Sequence, residues 1–305
     1  MKRHVAIAFI VILAFVASGF SAPAKEGQKR ALTVFISDYP AQSGWRKIHS
    51  HNDKPLVLGM LEDLGFNERN IICLEDSEAT LAGIQAAFER LIGECRPGDR
   101  VYIHFSCHGQ QITDVDGDEG LRNPRNKYDE SIIPYDACIS YGRNGYDGSR
   151  HLIDDQINEY LCRICGKVGR KGTVLLVVDA CHSGEIQREY DDEDDSESLR
   201  GVADVFELPL TGRTCETRPR EASCVTVSAC KEFESNHECE IGGKKYGRLT
   251  YAVSLSLCKG MTAKSFRQVL NDNFKKVGEI SRLPKNRTQS PYFDIPDSYQ
   301  NRILF

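Results

Sequence analysis

Apolar runs of strand length alternate along the chain with longer segments in which apolar residues recur at helical spacing. Runs rich in β-branched and aromatic residues predict strands over residues 31–37, 70–75, 100–107, 173–181, 222–230 and 290–295. Helical periodicity with capping signals predicts helices over residues 54–66, 78–95, 151–165, 248–258 and 262–277.

This order of elements predicts an α/β fold with a mostly parallel central sheet and helices on both faces. The unbroken apolar run "TVLLVV" at 173–178 is typical of a strand that is buried on both sides. Ligand sites in such sheets lie beyond the carboxyl ends of the strands. The third predicted strand runs into "SCHG" and the fourth runs into "DACHSGE", so both ends carry Cys and His.

Two long segments, residues 110–150 and 185–221, lack a regular pattern. Loops of that length in a compact domain are usually functional or mobile. The second segment holds the acidic run "DDEDDSES" and several arginines, which fits an activation segment or linker. A disordered surface insertion is the alternative.

Composition narrows the function classes. The chain has 305 residues, 27% of them charged, and a formal net charge of −5, so it offers no basic face and nucleic acid is not an expected partner. Lys2 and Arg3 precede the apolar run "VAIAFIVILAFV", and small residues follow as far as Ala24. We expect a signal peptide over residues 1–24, and hence an exported protein with no membrane attachment after cleavage. An uncleaved anchor is the alternative.

Twelve cysteines in an exported chain suggest disulfides, but they are scattered through apolar segments. We therefore expect most of them to be buried small hydrophobes. Cys162-x-x-Cys165 has zinc or redox spacing, yet it lies in a predicted helix and no second Cys/His pair stands at metal-site spacing.

Two strand ends carry candidate chemistry. Cys181 and His182 are neighbours in sequence, and neighbouring side chains at a strand end point to opposite sides. His108, at the end of the other strand, is the better base for a Cys181 nucleophile, since both ends lie at one edge of the sheet. The backbone N–H groups of Gly109 and Cys181 are candidate oxyanion donors. The alternative is two core residues that happen to lie near each other.

The segments "YIHFSCHG" and "DACHSG" resemble the two signature segments of the metacaspases, in the caspase-like clan of cysteine peptidases. Cys107 stands where the family commonly has Gly. Further similar segments are "GDEG…YDESIIPYDA", "LIDDQI", "TVSACKEFESNHE" and "SHNDKPLVLGML", so the resemblance covers about residue 31 to the end. The animal-caspase pattern Q-A-C-x-G does not match.

The resemblance implies a caspase-like α/β/α sandwich in one peptidase domain over residues 25–305. A large-subunit-like part would span about 31–184, a linker about 185–221 and a small-subunit-like part about 222–305.

Site roles follow from the same resemblance. His108 becomes the general base or acid, Cys181 the nucleophile and His182 a structural neighbour. Asp53, Ser106 and Asp179 match the positions that line the S1 pocket. Two carboxylates there favour an Arg or Lys at P1. Asp53 as a helix N-cap and Asp179 as a structural hydrogen-bond acceptor are the alternatives.

Calcium is a further implication. Asp136, Asp154 and Asp155 match three ligand positions of the family, whereas Arg188 falls near the place of a fourth. Calcium takes about six to eight oxygen ligands, so that difference weakens the site. Capping of the next helix is the alternative role of Asp154 and Asp155. The peptidase chemistry itself requires no cofactor.

These observations predict an exported cysteine endopeptidase that cleaves protein or peptide substrates after Arg or Lys. Arg188 and Arg200 bracket the acidic run, and we expect self-cleavage near one of them. A catalytically silent caspase-like domain that binds a partner, a clan relative with another P1 preference and a zinc or redox protein are the alternatives.

Overall fold

The computed structural model describes residues 27–114, 117, 119, 128–181, 198–202, 204–209, 222–231, 234–281 and 289–305. The predicted signal peptide, His182 and Arg188 lie outside the described residues. None of the helices in these ranges is both long and apolar enough to cross a membrane.

The strands and helices follow one another in the order that the sequence pattern predicts, with additions. In chain order they are β1 (Lys29–Phe35), α1 (Ser50–Asp63), β2 (Ile71–Glu75), α2 (Leu81–Glu94), β3 (Arg100–Ser106), β4 (Gly109–Thr113), β5 (Tyr128–Ile132), β6 (Leu152–Ile153), α3 (Asp154–Val168), β7 (Thr173–Asp179), β8 (Val225–Ser228), β9 (Glu238–Ile241), β10 (Lys244–Gly247), α4 (Arg248–Ser256), α5 (Ala263–Ile280) and β11 (Tyr292–Asp294).

The central sheet has the strand order β11-β8-β7-β3-β1-β2. Every pairing in it is parallel except that of β11 with β8. Alternate residues of β1 enter opposite cores: Leu32 and Val34 pack in the cluster that includes α2 and α3, whereas Ala31 and Phe35 pack with α1, α4 and α5. The prediction of a mostly parallel sheet between two helical layers is confirmed.

Part of the segment predicted to be irregular is ordered. Strands β4, β5 and β6 form an antiparallel three-stranded sheet. Outside that segment, β9 pairs with β10 in a hairpin. The sequence of β4, "GQQIT", lacks an apolar alternation, although its glutamines are buried. Gln110 compensates for burial with hydrogen bonds from its side-chain amide to two backbone carbonyls.

Helix α1 begins at Ser50, earlier than the predicted start at residue 54, and Pro55 lies within its first turns. Because proline has no N–H, the carbonyl of His51 receives no i→i−4 hydrogen bond at this position. The earlier start places Asp53 on the helix itself, on a turn that faces the carboxyl end of the sheet.

Candidate active site

The carboxyl ends of β3 and β7 place the two candidate catalytic residues side by side. These strands pair in parallel with Ser106 opposite Asp179. His108 and Cys181 each follow two residues later and are both buried. The structure therefore brings the predicted base and the predicted nucleophile to the same edge of the sheet.

Hydrogen bonding fixes the protonation pattern of the His108 ring. Its Nε2 lies 2.8 Å from the backbone oxygen of Arg46, and a carbonyl oxygen only accepts, so Nε2 carries the proton. Nδ1 is then the basic nitrogen, and it is buried without a hydrogen-bond partner in the described structure. Trp45 stacks on the ring at 5.0 Å between centroids, and Tyr39 packs on it at 5.2 Å. The ring is held in one orientation with its basic nitrogen unengaged.

Burial lowers the pKa of His108 to about 4. The hydrogen bond to the Arg46 carbonyl opposes this change, because it stabilises the protonated ring. The imidazole is therefore neutral at physiological pH and available to accept a proton.

The thiol of Cys181 is enclosed by residues that the sequence did not assign to the site. The backbone N–H of Asn236 lies 3.5 Å from the Cys181 sulfur. Cys230 contacts the same sulfur, and this contact together with burial raises the pKa of the Cys230 thiol.

The two predicted oxyanion donors converge on one atom. The N–H groups of Cys181 and Gly109 donate to the backbone oxygen of Arg200, at 3.0 Å and 3.2 Å. Arg200 lies in the segment predicted to be a linker. A carbonyl oxygen of the chain itself thus occupies the position of a scissile carbonyl.

The side chain of Arg200 fills the predicted S1 pocket and is completely buried. It donates to the side chains of Ser106 at 2.7 Å, Asp53 at 2.7 Å and Glu238 at 3.0 Å. It also lies 3.8 Å from a carboxylate oxygen of Asp179. We call these four residues the acidic pocket; Glu238 is the member that sequence reasoning missed.

Each carboxylate of the acidic pocket is held by further donors. Asp179 accepts from Asn236 Nδ2 at 2.8 Å and from the backbone N–H and hydroxyl of Thr250 at 2.8 Å and 2.7 Å. The alternative structural role of Asp179 therefore coexists with its place in the pocket. Glu238 accepts from the backbone N–H of His49 and pairs with its ring.

The alternative of Asp53 as a helix N-cap is wrong. The N-cap of α1 is His49, and the Asp53 carboxylate instead accepts from Ser106 Oγ at 2.7 Å and from the backbone N–H of Gly247 at 2.9 Å. Burial raises the pKa of Asp53 to about 6, even though the Arg200 guanidinium opposes the rise. Burial has the same tendency at Glu238, but hydrogen bonds from His49 and the charge of Arg200 outweigh it and lower the Glu238 pKa.

The backbone around Arg200 is bound like that of an extended peptide. Arg200 N–H donates to Asn236 O at 3.0 Å, and Glu238 N–H donates to Ser198 O at 2.7 Å. Gly201 lies so close to the nucleophile that an added Cβ would stand 2.7 Å from Cys181 Cβ. The peptide bond between Arg200 and Gly201 therefore lies directly against Cys181. We call residues 198–202 and 204–209 the docked segment.

The predicted calcium ligands are not assembled in the described structure. No group of three or more His, Cys, Asp or Glu side chains is arranged there to hold a metal. Asp136 accepts from Leu81 N–H at 2.9 Å and lies 3.6 Å from Arg150, while Asp154 and Asp155 occupy the first turn of α3. Calcium binding by these residues stays a prediction.

Sequence reasoning missed Arg46, Trp45 and Tyr39, which hold His108, as well as Asn236. No motif marks these residues. Arg46 and Asn236 in particular each use a backbone group in these contacts, which no side-chain pattern can reveal. Arg200 was singled out only as a basic residue beside an acidic run.

We expect Arg200→Met to destabilise the fold by about 3–5 kcal/mol near pH 7.5, because it leaves buried carboxylates without their cation. Asp53 already has a pKa of about 6 beside the Arg200 guanidinium, and removal of the guanidinium raises the Asp53 pKa further. Acidification then neutralises the Asp53 carboxyl, so the loss of stability caused by Arg200→Met should be smaller at about pH 5. Urea unfolding of chains that also carry Cys181→Ala measures this.

Arg163→Met is the matched control, because Arg163 pairs with Glu89 on the surface, with side chains 40% and 52% exposed. Such a pair contributes less than about 1 kcal/mol. Equal effects of the two substitutions at both pH values would contradict the buried ion network.

Comparisons with known proteins agree with this geometry. A family model described as "Metacaspase, peptidase C14 domain" matches residues 29–188. The chain is 24% identical to Metacaspase-1A of Aspergillus niger over 80% of its own length, and 24% identical to Metacaspase-1A of Aspergillus clavatus over 92%. It spans 66% and 68% of those relatives, so about a third of each lies outside the match.

A solved structure, protein GSU0716 from Geobacter sulfurreducens, has the same fold with a TM-score of 0.60. The match covers 90% of this chain and 97% of that one at 18% sequence identity. The model match over more than half of the chain, together with the His108 and Cys181 strand ends, shows that the chain belongs to the metacaspase family of C14 peptidases.

Proposed function

We propose that the protein is a cysteine endopeptidase that cleaves after arginine or lysine, and that its first substrate is its own Arg200–Gly201 bond. One observation carries the proposal: the Arg200 carbonyl accepts from both oxyanion donors while its guanidinium fills the acidic pocket. A chance surface contact would not satisfy both ends of the residue. Both features together define how a P1 residue binds.

The chemistry follows from the groups around that bond. His108 Nδ1 takes the proton of the Cys181 thiol, and the sulfur attacks the carbonyl carbon of Arg200. The N–H groups of Cys181 and Gly109 stabilise the oxyanion that forms. The carbon–nitrogen bond then breaks, and His108 gives its proton to the amine of Gly201.

The product of this step is a thioester between Cys181 and Arg200. Water attacks the thioester, His108 accepts a proton from it, and the Cys181 sulfur leaves and regains a proton. Arg200 then ends in a free carboxylate. No metal is needed in either step.

Preference for a basic P1 side chain rests on charge. The acidic pocket contains three buried carboxylates and a single serine hydroxyl. Burying an unpaired charge costs several kcal/mol, so a neutral or acidic P1 side chain would leave these groups uncompensated. The same argument disfavours a clan relative with a neutral pocket.

The same proposal includes export of the protein, directed by a signal peptide at residues 1–24. The remainder of the chain would then act on proteins outside the cytoplasm. N-terminal sequencing of the protein purified from its host tests it, with a start near residue 25 as the expected result.

Self-cleavage is expected at Arg200–Gly201 and not at Arg188. Intact mass spectrometry of the wild-type chain should show two fragments that meet at this bond. Cys181→Ala and His108→Ala should stay whole, Arg188→Ala should still cut, and Arg200→Gln should not cut there. Gly201→Ala should slow the cut, because its Cβ would stand 2.7 Å from Cys181 Cβ.

A wild-type chain that stays whole, with and without calcium, would contradict the self-cleavage proposal. A cut that persists at the same bond in Cys181→Ala would point to a contaminating peptidase instead. Cleavage only after Arg188 would show that the docked segment is not the substrate.

Turnover of fluorogenic peptides with Arg, Lys, Asn or Asp at P1 tests specificity in trans. We expect cleavage of the Arg and Lys peptides alone, and a loss of about 10- to 100-fold in kcat/KM with Asp53→Asn. The acidic limb of kcat/KM should lie above pH 6, because the empty pocket lacks the guanidinium that lowers the Asp53 pKa to about 6, and not near pH 4, where His108 is protonated.

Full activity down to about pH 5 would contradict the assignment of the acidic limb to Asp53. A preference for Asp at P1, or no turnover in any condition, would contradict the proposed function. No turnover in any condition would favour a catalytically silent domain. The same series with and without calcium checks the calcium prediction.

A further inference from the structure

The docked segment continues beyond the Arg200–Gly201 bond along strand β4. Phe206 N–H donates to Gln111 O at 2.8 Å, and Thr113 N–H donates to Phe206 O at 3.1 Å. Leu208 N–H then donates to the hydroxyl of Thr113 at 2.9 Å. The segment thus pairs in parallel with the edge strand of the small sheet at isolated points, and pairing with a sheet edge is a common way of binding an extended peptide.

The side chain of Phe206 is 1% exposed and lies among aromatic rings. The ring centroids of His151, Tyr146 and Tyr141 lie 4.4 Å, 5.5 Å and 6.4 Å from that of Phe206. Aromatic pairs at these separations attract each other beyond the area that they bury.

Hydrogen bonds hold this aromatic site in shape. The Nδ1 and Nε2 atoms of His151 lie 2.7 Å from Tyr146 Oη and 3.1 Å from Gln110 Oε1. The amide of Gln110 in turn donates to the backbone oxygen of Asp204 at 2.9 Å. Burial lowers the pKa of His151, so its ring is neutral and suits an apolar occupant.

Gly148 forms one wall of the site. A Cβ added there would stand 2.8 Å from a ring carbon of Phe206 and 2.9 Å from a methyl carbon of Leu208. Its φ of +89° also suits glycine. Any side chain at this position would therefore enter the space that Phe206 and Leu208 occupy. Gly148, His151 and Leu208 also line a cavity of about 230 Å³.

We propose that Tyr146, Gly148 and His151 form an aromatic subsite that selects substrates with an aromatic residue at the sixth position after the cleaved bond. This inference rests on the proposed function, because Phe206 is the sixth residue after Arg200. The subsite lies far along the primed side, where it adds specificity to that of the acidic pocket.

The spacing is set by backbone pairing. Gly201 forms a parallel β-bridge with Gly109, and Phe206 forms one with Ile112. From the first bridge to the second, the docked segment advances by five residues and β4 by three. The segment therefore has two more residues than β4 between these two bridged pairs. A substrate whose aromatic residue stands one position away would place it outside the subsite or lose the pairing.

The test compares long peptides with the sequence of residues 198–209, carrying Phe or Ala at the sixth position after the arginine. A third peptide carries Phe at the seventh position with Ala at the sixth. The enzyme is the full chain with Phe206→Ala, which empties the subsite. We expect kcat/KM to be about tenfold or more higher for the first peptide than for the other two, since burying a Phe side chain is worth roughly 1.5–3 kcal/mol.

Gly148→Ala in the same chain should remove this preference by filling the subsite. Gly142→Ala is the matched control, because Gly142 also has a positive φ, +76°, but its added Cβ meets nothing within 4 Å. A short peptide that ends in a fluorogenic group directly after the arginine does not reach the subsite. Its turnover should be the same in the Phe206→Ala chain with and without Gly142→Ala.

Equal turnover of the three long peptides, with the short peptide still cleaved, would overturn the aromatic subsite and leave the proposed function standing. A preference that survives Gly148→Ala would also overturn it. Failure of the enzyme to cleave even the short peptide would overturn the proposed function and the subsite with it.

Discussion

The ion network around Arg200 is the interaction on which the rest of the site depends. One completely buried guanidinium meets Asp53, Asp179 and Glu238, which come from α1, β7 and β9. Such a cluster is stable only if cation and carboxylates remain together, because each charge has left water. The network therefore joins the first helix, the central sheet and the hairpin that precedes α4, and it does so through a residue of the docked segment.

This arrangement links the stability of the fold to the proposed self-cleavage. In the uncut chain the docked segment occupies the acidic pocket, contacts both oxyanion donors and follows β4, so another substrate must displace it. Cleavage after Arg200 would convert one continuous tether into two ends that dissociate separately, which weakens each by removing the effective concentration that the other supplies. The proposed self-cleavage would thus open the pocket that the segment fills.

The sequence predicts the framework well because strand and helix periodicities are local. The parallel sheet, its two helical layers and the strand-end positions of His108 and Cys181 all follow from patterns within single segments. Strand β4 is not predicted, since burial of its Gln110 is compensated by hydrogen bonds to distant carbonyls. Glu238 and the Arg46 carbonyl are not predicted either, because they join the site through tertiary contacts that leave no mark in nearby residues.

The central claim is that Arg200 occupies the active site of the uncut chain as a bound P1 residue. Alkylation of Cys181 by a peptidyl-arginine chloromethyl ketone tests it directly, with intact mass spectrometry used to score only chains that remain uncut. We expect uncut wild-type chain to be labelled slowly and Arg200→Ala to be labelled much faster. Equal labelling rates of the two chains would show that Arg200 does not fill the acidic pocket, and would contradict the account.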